Sequence, residues 1–393
     1  MTQSRYLTQS ITDDALAAGK MAFIAGPRQV GKTTLARVLV ADTRNYFLHD
    51  DEAFRRAWAK SPTAAIAGRG GGPIVLDEIH KDRAWKRKLK GLYDQPGARL
   101  PIIVTGSARM GYHRKGGDSL LGRYLPYQLH PFSVGEGASP PRPDAVLGDY
   151  AEATYPWSDL LRLGGFPEPL IGGRVNLAQR WSRLRLDRLV FEDSRDIRQI
   201  GDLRALATLV ELLPERVGSL LSVNALHQDV GKAYATVRAW VELLDILYFS
   251  FTVRPYAHRL RRVVKAEPKL YLYDILRIPE RELGKRRENL AALHLLKACH
   301  YWTDTAQGEF ELRFVRDKDG REIDFLVLRD KAPWMAIECK SGATDPARNL
   351  VHFSELLRVP HRIQLVSEEG HDRFFAAAKV RVINYERFFA ALV

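Results

Sequence analysis

A glycine-rich stretch near the start of the chain combines residue types that bind phosphate. Gly26, Gly31, Lys32 and Thr33 fill the four fixed positions of the pattern G-x-x-x-x-G-K-[ST]. An apolar run at 21–25 precedes the stretch, and residues with helical periodicity follow it. Glycines let successive main-chain N–H groups point at one phosphate, and the N-terminus of the following helix adds partial positive charge. The order of strand, loop and helix predicts a nucleotide-binding loop and disfavours a chance glycine-rich turn.

The nucleotide expected in this loop is ATP together with Mg²⁺. Lys32 is predicted to reach the β- and γ-phosphates and to act in catalysis, and the Thr33 hydroxyl is predicted to ligate Mg²⁺. Every residue of the loop is a candidate nucleotide ligand. These residues are Gly26, Pro27, Arg28, Gln29, Val30, Gly31, Lys32, Thr33 and Thr34.

Two acids end a later apolar run. Residues 74–76 are aliphatic, and Asp77 and Glu78 follow them directly. Asp77 is predicted to hold Mg²⁺ through the water shell of the ion. Glu78 is predicted to polarise the attacking water as a general base. Two acids at a strand end could instead form a plain polar turn, but the upstream phosphate loop favours the catalytic interpretation.

Apolar runs alternate with helical segments through the first part of the chain. Runs at 21–25, 45–49, 74–78 and 101–105 have the length and composition of buried strands. Such alternation predicts an α/β fold with a parallel sheet covered on both faces. In folds of this kind the site lies at the carboxyl ends of the strands.

Several segments together resemble one protein family. They are the loop 26–34, the strand Leu76-Asp77-Glu78, the Gly122-Arg123 step and the segment Gly164-Gly165-Phe166-Pro167-Glu168-Pro169. The family is the large group of bacterial and archaeal predicted AAA-superfamily ATPases with a C-terminal domain of uncharacterised function, and the resemblance covers almost the entire chain. It implies an AAA-type P-loop ATPase core at 1–140, a helical segment with a winged-helix-like unit at 141–255, and an α/β restriction-endonuclease-like domain at 256–393.

The AAA resemblance also implies catalytic residues outside the loop. In AAA-type ATPases a polar residue that ends a strand of this kind senses the γ-phosphate, and Ser107, or Thr105, fits that position. Arg123 is the candidate arginine finger, a cation offered to the γ-phosphate of a neighbouring subunit. An arginine acting in this way makes the active form a homo-oligomer, with a ring as the expected arrangement. A surface arginine without such a role is the alternative.

The chain is basic, with 60 Lys and Arg residues against 47 Asp and Glu residues and a formal net charge of +13. This excess favours a polyanionic partner, nucleic acid first, with DNA as the expected partner, and an anionic membrane surface second, although an arginine-rich proteome would produce the same balance. Cys299 and Cys339 are too few for a disulfide framework and fit a reducing compartment. Because the N-terminus is polar and the apolar runs are strand-sized, we expect a soluble cytoplasmic protein without a membrane span.

A helix, turn and helix pattern covers 221–247. Ser222 is a suitable N-cap, and Gly231 lies in the turn. The strand-like residues 248–253 that follow would form the wing of a DNA-binding unit. The predicted groove contacts of the second helix are Lys232, Tyr234, Thr236 and Arg238. Packing against the ATPase core or a neighbouring protomer is an alternative of equal weight.

The segment 256–287 is strongly basic. Its cations are Arg259, Arg261, Arg262, Lys265, Lys269, Arg277, Arg281, Lys285, Arg286 and Arg287, with Tyr256, Tyr271 and Tyr273 between them. Basic and aromatic residues mixed in this way suit phosphate neutralisation together with base stacking. A solvated charged surface is the alternative, and the acidic residues that follow favour nucleic acid.

Residues 288–340 contain a pattern found in restriction-endonuclease-like folds. Asp324 followed by Glu338-x-Lys340 matches the signature D…(D/E)-x-K, and residues two apart on a strand face the same side. Asp324 and Glu338 are candidate ligands of a divalent metal, and Lys340 is a candidate catalytic residue that orients or activates water. Glu288 resembles the helix acid of junction-resolvase relatives and is a third candidate ligand. Salt bridges among these residues are the alternative.

The sequence therefore predicts a Mg²⁺-dependent ATPase that acts as a DNA-binding motor or remodeller and carries a candidate nuclease module. A regulatory switch, in which ATP changes the conformation and the C-terminal domain docks a protein partner, is the second hypothesis. A relic fold used for assembly is the third. DNA-stimulated ATP turnover favours the first hypothesis, and ATP binding with negligible turnover and no salt-dependent DNA binding favours the second.

Overall fold

A computed structural model describes most of the chain. It covers residues 5–40, 42–95, 100–106, 120–137, 140–145, 148, 152–194, 200–256, 267–342 and 345–393, with the main chain alone at 192 and 193. Backbone contacts divide these residues into two compact units. The first unit extends to Pro131, and the second consists of Phe132–Glu136 and the chain from Pro140 to Val393.

The first unit alternates strands and helices. Its strands are β1 (Met21–Ala25), β2 (Tyr46–Leu48), β3 (Ile74–Asp77), β4 (Ile102–Gly106) and β5 (Tyr124–Gln128). Its α-helices are α1 (Thr8–Ser10), α2 (Lys32–Leu39), α3 (Glu52–Lys60), α4 (Pro62–Ala65) and α5 (Trp85–Tyr93), and shorter turns of π or 3₁₀ type cover Ile11–Leu16, Thr43–Asn45 and Ile79–Lys81.

The strands of the first unit form a parallel sheet in the order β2-β3-β4-β1-β5. This arrangement confirms the predicted α/β fold with a parallel sheet. Strand β4 lies between β1 and β3, and the register aligns Ala25 with Gly106 and Asp77 with Thr105. The carboxyl ends of β1 and β3 therefore reach the same edge of the sheet, one strand apart. An apolar core that includes Phe23, Leu76 and Val104 fixes this register.

The second unit contains a larger sheet and several helices. Its strands are β6 (Ser250–Pro255), β7 (Lys269–Leu272), β8 (Phe310–Arg316), β9 (Glu322–Arg329), β10 (Ala332–Cys339), β11 (His361–Val366), β12 (Asp372–Phe375) and β13 (Val380–Asn384). Its α-helices are α6 (Trp157–Leu163), α7 (Pro167–Gly172), α8 (Val175–Arg188), α9 (Leu203–Leu212), α10 (Val223–Val230), α11 (Tyr234–Ile246), α12 (Leu283–Asp304), α13 (Arg348–Leu356) and α14 (Tyr385–Ala390). Shorter turns of π or 3₁₀ type cover Pro143–Ala145, Leu189–Asp193, Leu213–Arg216 and Ile275–Arg277.

The sheet of the second unit is mixed and has the order β12-β13-β11-β10-β9-β8-β6-β7. Strands β8, β9 and β10 pair antiparallel, whereas β10, β11 and β13 pair parallel. The predicted α/β character of the C-terminal region is confirmed. Helix α12 is buried along most of its length and packs against β8, so it presents Glu288 to this sheet.

One predicted strand belongs to a different assembly from the one expected. Residues 248–253 were expected to form the wing of a separate helical unit, but β6 covers Ser250–Pro255 and pairs antiparallel with β7 and parallel with β8. The strand is thus part of the C-terminal sheet. Local alternation identifies a strand but not its partners, and the partners of β6 come later in the chain. Helix α10 follows the prediction: Ser222 caps its first turn, and Gly231 ends it with a φ of 66°.

No helix in the described ranges is long and apolar enough to cross a bilayer.

Candidate active site

The phosphate loop connects β1 to α2 and is held closely against its own unit. A Cβ atom added to Gly26 would lie 2.3 Å from the carbonyl oxygen of Leu129. Gly31 has a φ of 99°, a left-handed conformation that glycine adopts without strain, and Gln29 has a φ of 62°. The packing and conformation of the loop therefore require the two glycines that the sequence pattern contains.

Lys32 lies inside the curve of the loop and is 7% exposed. Its Nζ atom donates hydrogen bonds to the carbonyl oxygens of Gly26 at 2.9 Å and Pro27 at 2.7 Å. In proteins with this loop the same ammonium group binds β- and γ-phosphates. Phosphate oxygens could replace the two carbonyl oxygens as acceptors, so the ammonium group already lies close to the predicted phosphate position.

Asp77 at the end of β3 is buried and accepts hydrogen bonds from neutral hydroxyl groups. Thr33 Oγ1 donates to Asp77 Oδ2 at 3.0 Å, and the Tyr46 hydroxyl donates to the same oxygen. The Thr105 hydroxyl on β4 donates to Asp77 Oδ1. Burial raises the pKa of Tyr46, and its bond to Asp77 raises it further, so this hydroxyl stays a donor. Three neighbouring elements thereby orient the carboxylate beside the loop.

Glu78 follows Asp77 in a left-handed conformation with a φ of 57°. Its Oε2 atom is buried and accepts no hydrogen bond from the described residues. His80 Nε2 lies 3.6 Å from this oxygen and Lys81 Nζ lies 3.8 Å from it. Burial raises the pKa of Glu78, while the charges of Lys32 and Lys81 oppose the rise. A carboxylate held in this way is more basic than an exposed one, which suits a general base.

The N-terminal segment supports the loop through Arg5, which is 5% exposed. Its guanidinium donates to the carbonyl oxygens of Val30 at 2.9 Å and His130 at 2.6 Å. The two acceptors lie in the phosphate loop and after β5. Arg5 therefore connects the loop to the segment that follows β5.

The two remaining predicted catalytic residues differ in placement. Ser107 lies outside the described residues, whereas its alternative Thr105 is fully buried against Asp77. Arg123 precedes β5, and its Nε lies 2.8 Å from Asp94 Oδ1. Because β1 and β5 are parallel and the Met21 N–H donates to the Arg123 carbonyl at 2.9 Å, Arg123 lies at the sheet edge opposite the loop. Its role as an arginine finger stays a prediction that concerns a neighbouring subunit.

The residues of this site fit ATP with Mg²⁺. The loop has no side chain at Gly26 and Gly31, and Lys32 supplies a cation inside it. The Thr33 hydroxyl and the Asp77 carboxylate supply hard oxygen atoms of the kind that Mg²⁺ prefers. The buried Oε2 atom of Glu78 has no hydrogen bond within the described chain, as expected for a group whose partner is a ligand or water.

The four predicted residues of the second unit also lie together. Glu288 comes from α12, Asp324 from β9, and Glu338 and Lys340 from β10 and the residue after it. Lys340 Nζ lies 2.7 Å from Glu338 Oε1. Lys269, a residue of the basic segment, joins the other two: its Nζ is 3.5 Å from Glu288 Oε1 and 3.6 Å from Asp324 Oδ1. We call these five residues with Glu322 the carboxylate cluster.

The electrostatics of the carboxylate cluster reflect burial. Burial and the charge of Asp324 raise the pKa of Glu288 to about 7 and that of Glu338 to about 7. Burial raises the pKa of Asp324 against the opposing charge of Lys269. Burial alone would lower the pKa of Lys269, but the surrounding carboxylates raise it. The lysine stays charged, and Glu288 and Glu338 are the carboxyl groups that bind protons near neutral pH.

A divalent metal ion does not fit the cluster as its side chains stand. The ammonium of Lys269 occupies the space between Glu288 and Asp324. In the described ranges, no three His, Cys, Asp or Glu side chains converge where one metal ion could bind them all. Glu338 Oε2 is buried without a hydrogen bond from the described residues, which favours an ion, but a single free oxygen is too few for a hard cation. The metal-ligand roles of the three acids stay predictions.

Two of the predicted groove contacts, Lys232 just before α11 and Arg238 on α11, are engaged with acids. Lys232 Nζ lies 2.7 Å from Asp202 Oδ2, and Arg238 Nε lies 3.3 Å from Glu242 Oε1. Tyr234 is 47% exposed. Both ion pairs lie near the surface, where such pairs contribute little and exchange readily. The exposed face of this helix could therefore still contact a phosphate backbone.

The basic segment forms a cationic surface only in part. The members outside the described residues are Arg259, Arg261, Arg262 and Lys265. Lys269 and Arg286 are buried, and Arg277 Nη2 lies 2.9 Å from Glu211 Oε1. Arg281 is exposed. Part of the positive charge in this segment is therefore balanced inside the unit and does not face solvent.

Comparison with known proteins assigns three matches along the chain. Residues 18–137 match the AAA domain family, 155–275 match a domain of unknown function (DUF8612), and 283–388 match another domain of unknown function (DUF4143). The chain is 23% identical over 352 residues to uncharacterized proteins of Mycobacterium bovis and Mycobacterium tuberculosis, which covers 84% of this chain and 75% of each relative. The chain thus carries a P-loop ATPase-like AAA domain in its N-terminal part and a DUF4143 domain in its C-terminal part.

Several residues of the two sites were not predicted from the sequence to belong to them. Arg5 and Tyr46 lie far from the phosphate loop in sequence, and neither belongs to a short motif. Lys269 was grouped with surface cations, and Tyr271 and Glu322 were not assigned to the cluster. A useful signal for Lys269 is its position in an apolar, strand-like run that ends at Tyr273, because a lysine in such a run needs a buried acid.

Proposed function

We propose that this protein is a Mg²⁺-dependent ATPase that couples ATP hydrolysis to nucleic-acid binding, with DNA as the first candidate. The AAA domain match supports nucleotide binding and possible ATPase activity. Lys32 and the loop would bind the phosphates, Thr33 and Asp77 would hold Mg²⁺, and Glu78 would accept a proton from the attacking water. Bound Mg²⁺ would supply neutralisation of phosphate charge.

The observation that carries the ATPase proposal is the meeting of two motifs at one sheet edge. Thr33 of the phosphate loop donates to Asp77 at the end of β3 at 3.0 Å, although the two are distant in sequence. Next to Asp77, the partly buried Glu78 has a buried oxygen, Oε2, without a hydrogen bond in the described chain. The proximity of these residues supports a site in which the loop would bind phosphate, Thr33 and Asp77 would hold Mg²⁺ and Glu78 would act as the base. Each of these groups is needed for ATP hydrolysis.

The nucleic-acid part of the proposal rests on charge and on the second unit. The net charge of +13 favours a polyanion, and Tyr234 and Arg238 lie on the exposed side of α11. We further propose a restriction-endonuclease-like fold for the region around α12 and strands β8 to β11, since a helix acid and the Glu338-x-Lys340 pair meet there. We do not propose nucleic-acid cleavage, because the carboxylate cluster does not fit a metal ion.

We also propose that the protein forms a homo-oligomer in which Arg123 acts on the site of a neighbouring subunit. Mixing Arg123→Ala protein with Glu78→Gln protein tests it, because each variant lacks a different half of a shared site. Mixed subunits should recover part of the ATP turnover that neither variant has alone. Turnover of Arg123→Ala equal to wild type at every protein concentration would instead leave Arg123 as a surface residue paired with Asp94.

The experiment that tests the proposed function measures ATP turnover with and without single-stranded, duplex and four-way-junction DNA. The proteins are wild type, Glu78→Gln and a matched control, Glu52→Gln, which changes an exposed glutamate on α3. Binding of the same DNAs is measured over a range of salt concentrations, since phosphate contacts weaken steeply with salt. Arg238→Ala is compared with Arg183→Ala, an exposed arginine on α8, to locate the contact.

We expect one DNA form to stimulate ATP turnover. Glu78→Gln should abolish this turnover, and Glu52→Gln should retain it. No turnover in any condition would contradict the ATPase part. Turnover indifferent to every DNA, without binding at low salt, would contradict the nucleic-acid part and favour the second candidate.

The second candidate is an ATP-gated switch that docks a protein partner, and an apolar row on the second unit favours it. Leu177, Leu184 and Phe191 are 47%, 58% and 45% exposed. They recur every seven residues along α8 and the turn after it, a spacing that places them on one side of a helix. Exposed apolar rows of this kind mark protein contacts in soluble proteins. Replacing Leu184 by Asp would then disrupt partner binding without changing ATP turnover.

A further inference from the structure

Lys269 is an unusual member of the carboxylate cluster because it is almost fully enclosed. It opens β7, and its side chain is 2% exposed. Its Nζ atom lies 3.5 Å from Glu288 Oε1, 3.3 Å from Glu322 Oε1 and 3.6 Å from Asp324 Oδ1. These carboxylates come from α12 and β9. A single ammonium group therefore stands between acids from two other elements, which is the position that a bound cation would take.

The other polar contacts of these acids are provided by the chain itself. Asp324 Oδ2 accepts a hydrogen bond from the Cys339 N–H at 2.9 Å. Glu322 Oε2 accepts from Arg316 Nη1 at 2.8 Å.

Glu288 is held by its Oε1 atom, which accepts from the Tyr271 hydroxyl at 2.8 Å. Gly218 packs against the whole carboxylate, since an added Cβ would lie 3.1 Å from Oε2 and 3.2 Å from Oε1. The acids that face Lys269 are thus held in place by contacts that a metal ion would have to disturb.

A divalent ion and this ammonium cannot share the cluster at low cost. A hard cation binds carboxylate oxygens at about 2.0 to 2.6 Å, which requires the space that Nζ now fills. Two buried cations side by side repel strongly, because the interior screens charge weakly. Expelling the lysine would leave its charge without its acids in a buried site.

We infer that the ammonium group of Lys269 occupies the cation-binding position of the carboxylate cluster. The cluster therefore excludes divalent metal ions, and its ion pairs connect β7 to α12 and β9. The inference concerns a cation in the second unit and does not depend on ATP hydrolysis by the first. It assigns the cluster a binding partner from within the chain. On this inference the acids of the cluster pair with an internal cation instead of holding a metal ion for cleavage.

Glu338 pairs with the other lysine of the cluster, Lys340. Its Oε2 atom is buried without a hydrogen bond within the described residues, and Oε1 pairs with Lys340 at 2.7 Å. If an ion binds despite Lys269, Glu338 and Asp324 are the acids that would hold it. Both residues therefore enter the test.

The test is a Mn²⁺ titration followed by the electron paramagnetic resonance signal of the free ion. All proteins carry Asp77→Asn to remove the Mg²⁺ ligand of the first unit. The background protein should bind no stoichiometric Mn²⁺, and adding Asp324→Asn or Glu338→Gln should change nothing. Binding of one equivalent that either substitution abolishes would overturn the inference. This arm keeps Lys269 and so does not depend on the folding of a lysine variant.

The second arm adds Lys269→Met, which keeps the length of the side chain and removes its charge. With the cation gone, the facing acids should bind one equivalent of Mn²⁺, and Asp324→Asn should remove that binding. Circular dichroism and thermal unfolding establish which variants are folded. A folded Lys269→Met protein that binds no Mn²⁺ would also overturn the inference, because the acids would then not form a cation site at all.

Discussion

The two units each place a buried lysine near carboxylates, but the contacts of the two lysines differ in kind. Lys32 donates to two main-chain carbonyl oxygens, and nearby Asp77 accepts from three neutral hydroxyl groups. Lys269 is surrounded by charged acids of its own chain. A ligand can replace carbonyl and hydroxyl contacts without leaving a charge unpaired. Replacing an ion pair leaves one charge buried alone, which is far more costly.

Residue types alone therefore do not distinguish a ligand site from a structural ion pair. Both regions contain acids, a lysine and a strand end, and both match a known catalytic pattern. The difference lies in which partner each charge already has. Glu78 keeps an oxygen without a hydrogen bond in the described chain, whereas Glu288 and Asp324 both face Lys269.

The largest expected effect is a difference in unfolding free energy between substitutions of Lys269 and of Lys32. Lys269→Met removes the buried cation that faces three partly buried acids, so we expect the second unit to lose about 3 kcal/mol of unfolding free energy, the lower end of the range for buried pairs. Lys32→Met removes hydrogen bonds to neutral carbonyls and should cost about 1 kcal/mol. Urea unfolding followed by hydrogen exchange of peptides from β7 and α2 measures each loss locally. Equal losses at the two positions would contradict the comparison.

For ATP turnover the order of the two lysines should be reversed, with the larger effect at Lys32. Lys32→Ala removes a preorganised cation from the predicted phosphate position, and we expect ATP turnover to fall by about 10² to 10³-fold. Lys60→Ala, at an exposed lysine that ends α3, is the matched control and should keep the wild-type rate. Steady-state phosphate release is the measurement. A Lys32→Ala protein that keeps most of its turnover would remove the phosphate role from this loop.

The acids of the cluster should give the second unit a dependence on pH. The pKa of Glu338 is raised from 4.5 to about 7 in the folded state, so the folded chain binds an extra proton between those values. Stability from this group is complete below pH 4.5 and is lost as pH rises through 7. Each pKa unit corresponds to ~1.4 kcal/mol, so the loss is on the order of 3 kcal/mol.

Glu338→Gln isolates this effect, because it keeps the shape of the side chain without its charge. The unfolding free energy of the variant should fall less than that of wild type between pH 5 and pH 8, as measured by urea titrations at each pH. Parallel pH curves for the two proteins would show that Glu338 titrates normally.

The smallest expected effect concerns the hydroxyl contacts of Asp77. Tyr46→Phe removes one donor to the carboxylate, and we expect about tenfold slower turnover, equivalent to ~1.4 kcal/mol. The reduction should appear in kcat and in the Mg²⁺ concentration that is required, because Tyr46 positions Asp77 without touching substrate. Tyr93→Phe is the control, since the Tyr93 hydroxyl donates to the Gly19 carbonyl instead. Equal effects of the two substitutions would point to general destabilisation.

How far the sequence predicts each region depends on how local its contacts are. The phosphate loop is continuous in sequence, and the pattern that identifies it also sets its conformation, as Gly26 and Gly31 illustrate. The pairing of Glu338 with Lys340 follows from their spacing on a strand. The parallel sheet of the first unit follows from the alternation of strands and helices, and the structure confirms it.

Other features depend on register between distant segments. Strand β6 was expected in a wing, but pairing with β8 places it in the C-terminal sheet. Tyr46 reaches Asp77 because β2 and β3 lie side by side. No local pattern contains either pairing, so sequence reasoning could not have found them with a single chain.

The sequence by itself determined which residues could bind phosphate and which acids and lysines could act together, because short motifs fix residue types and local backbone. The tertiary structure decided which charges were already neutralised. Lys269 reads as one cation in a basic run, yet the fold places it among acids from α12 and β9. That difference arises because buried charges are energetically tied to their nearest partners, and the nearest partners are set by how strands and helices pack.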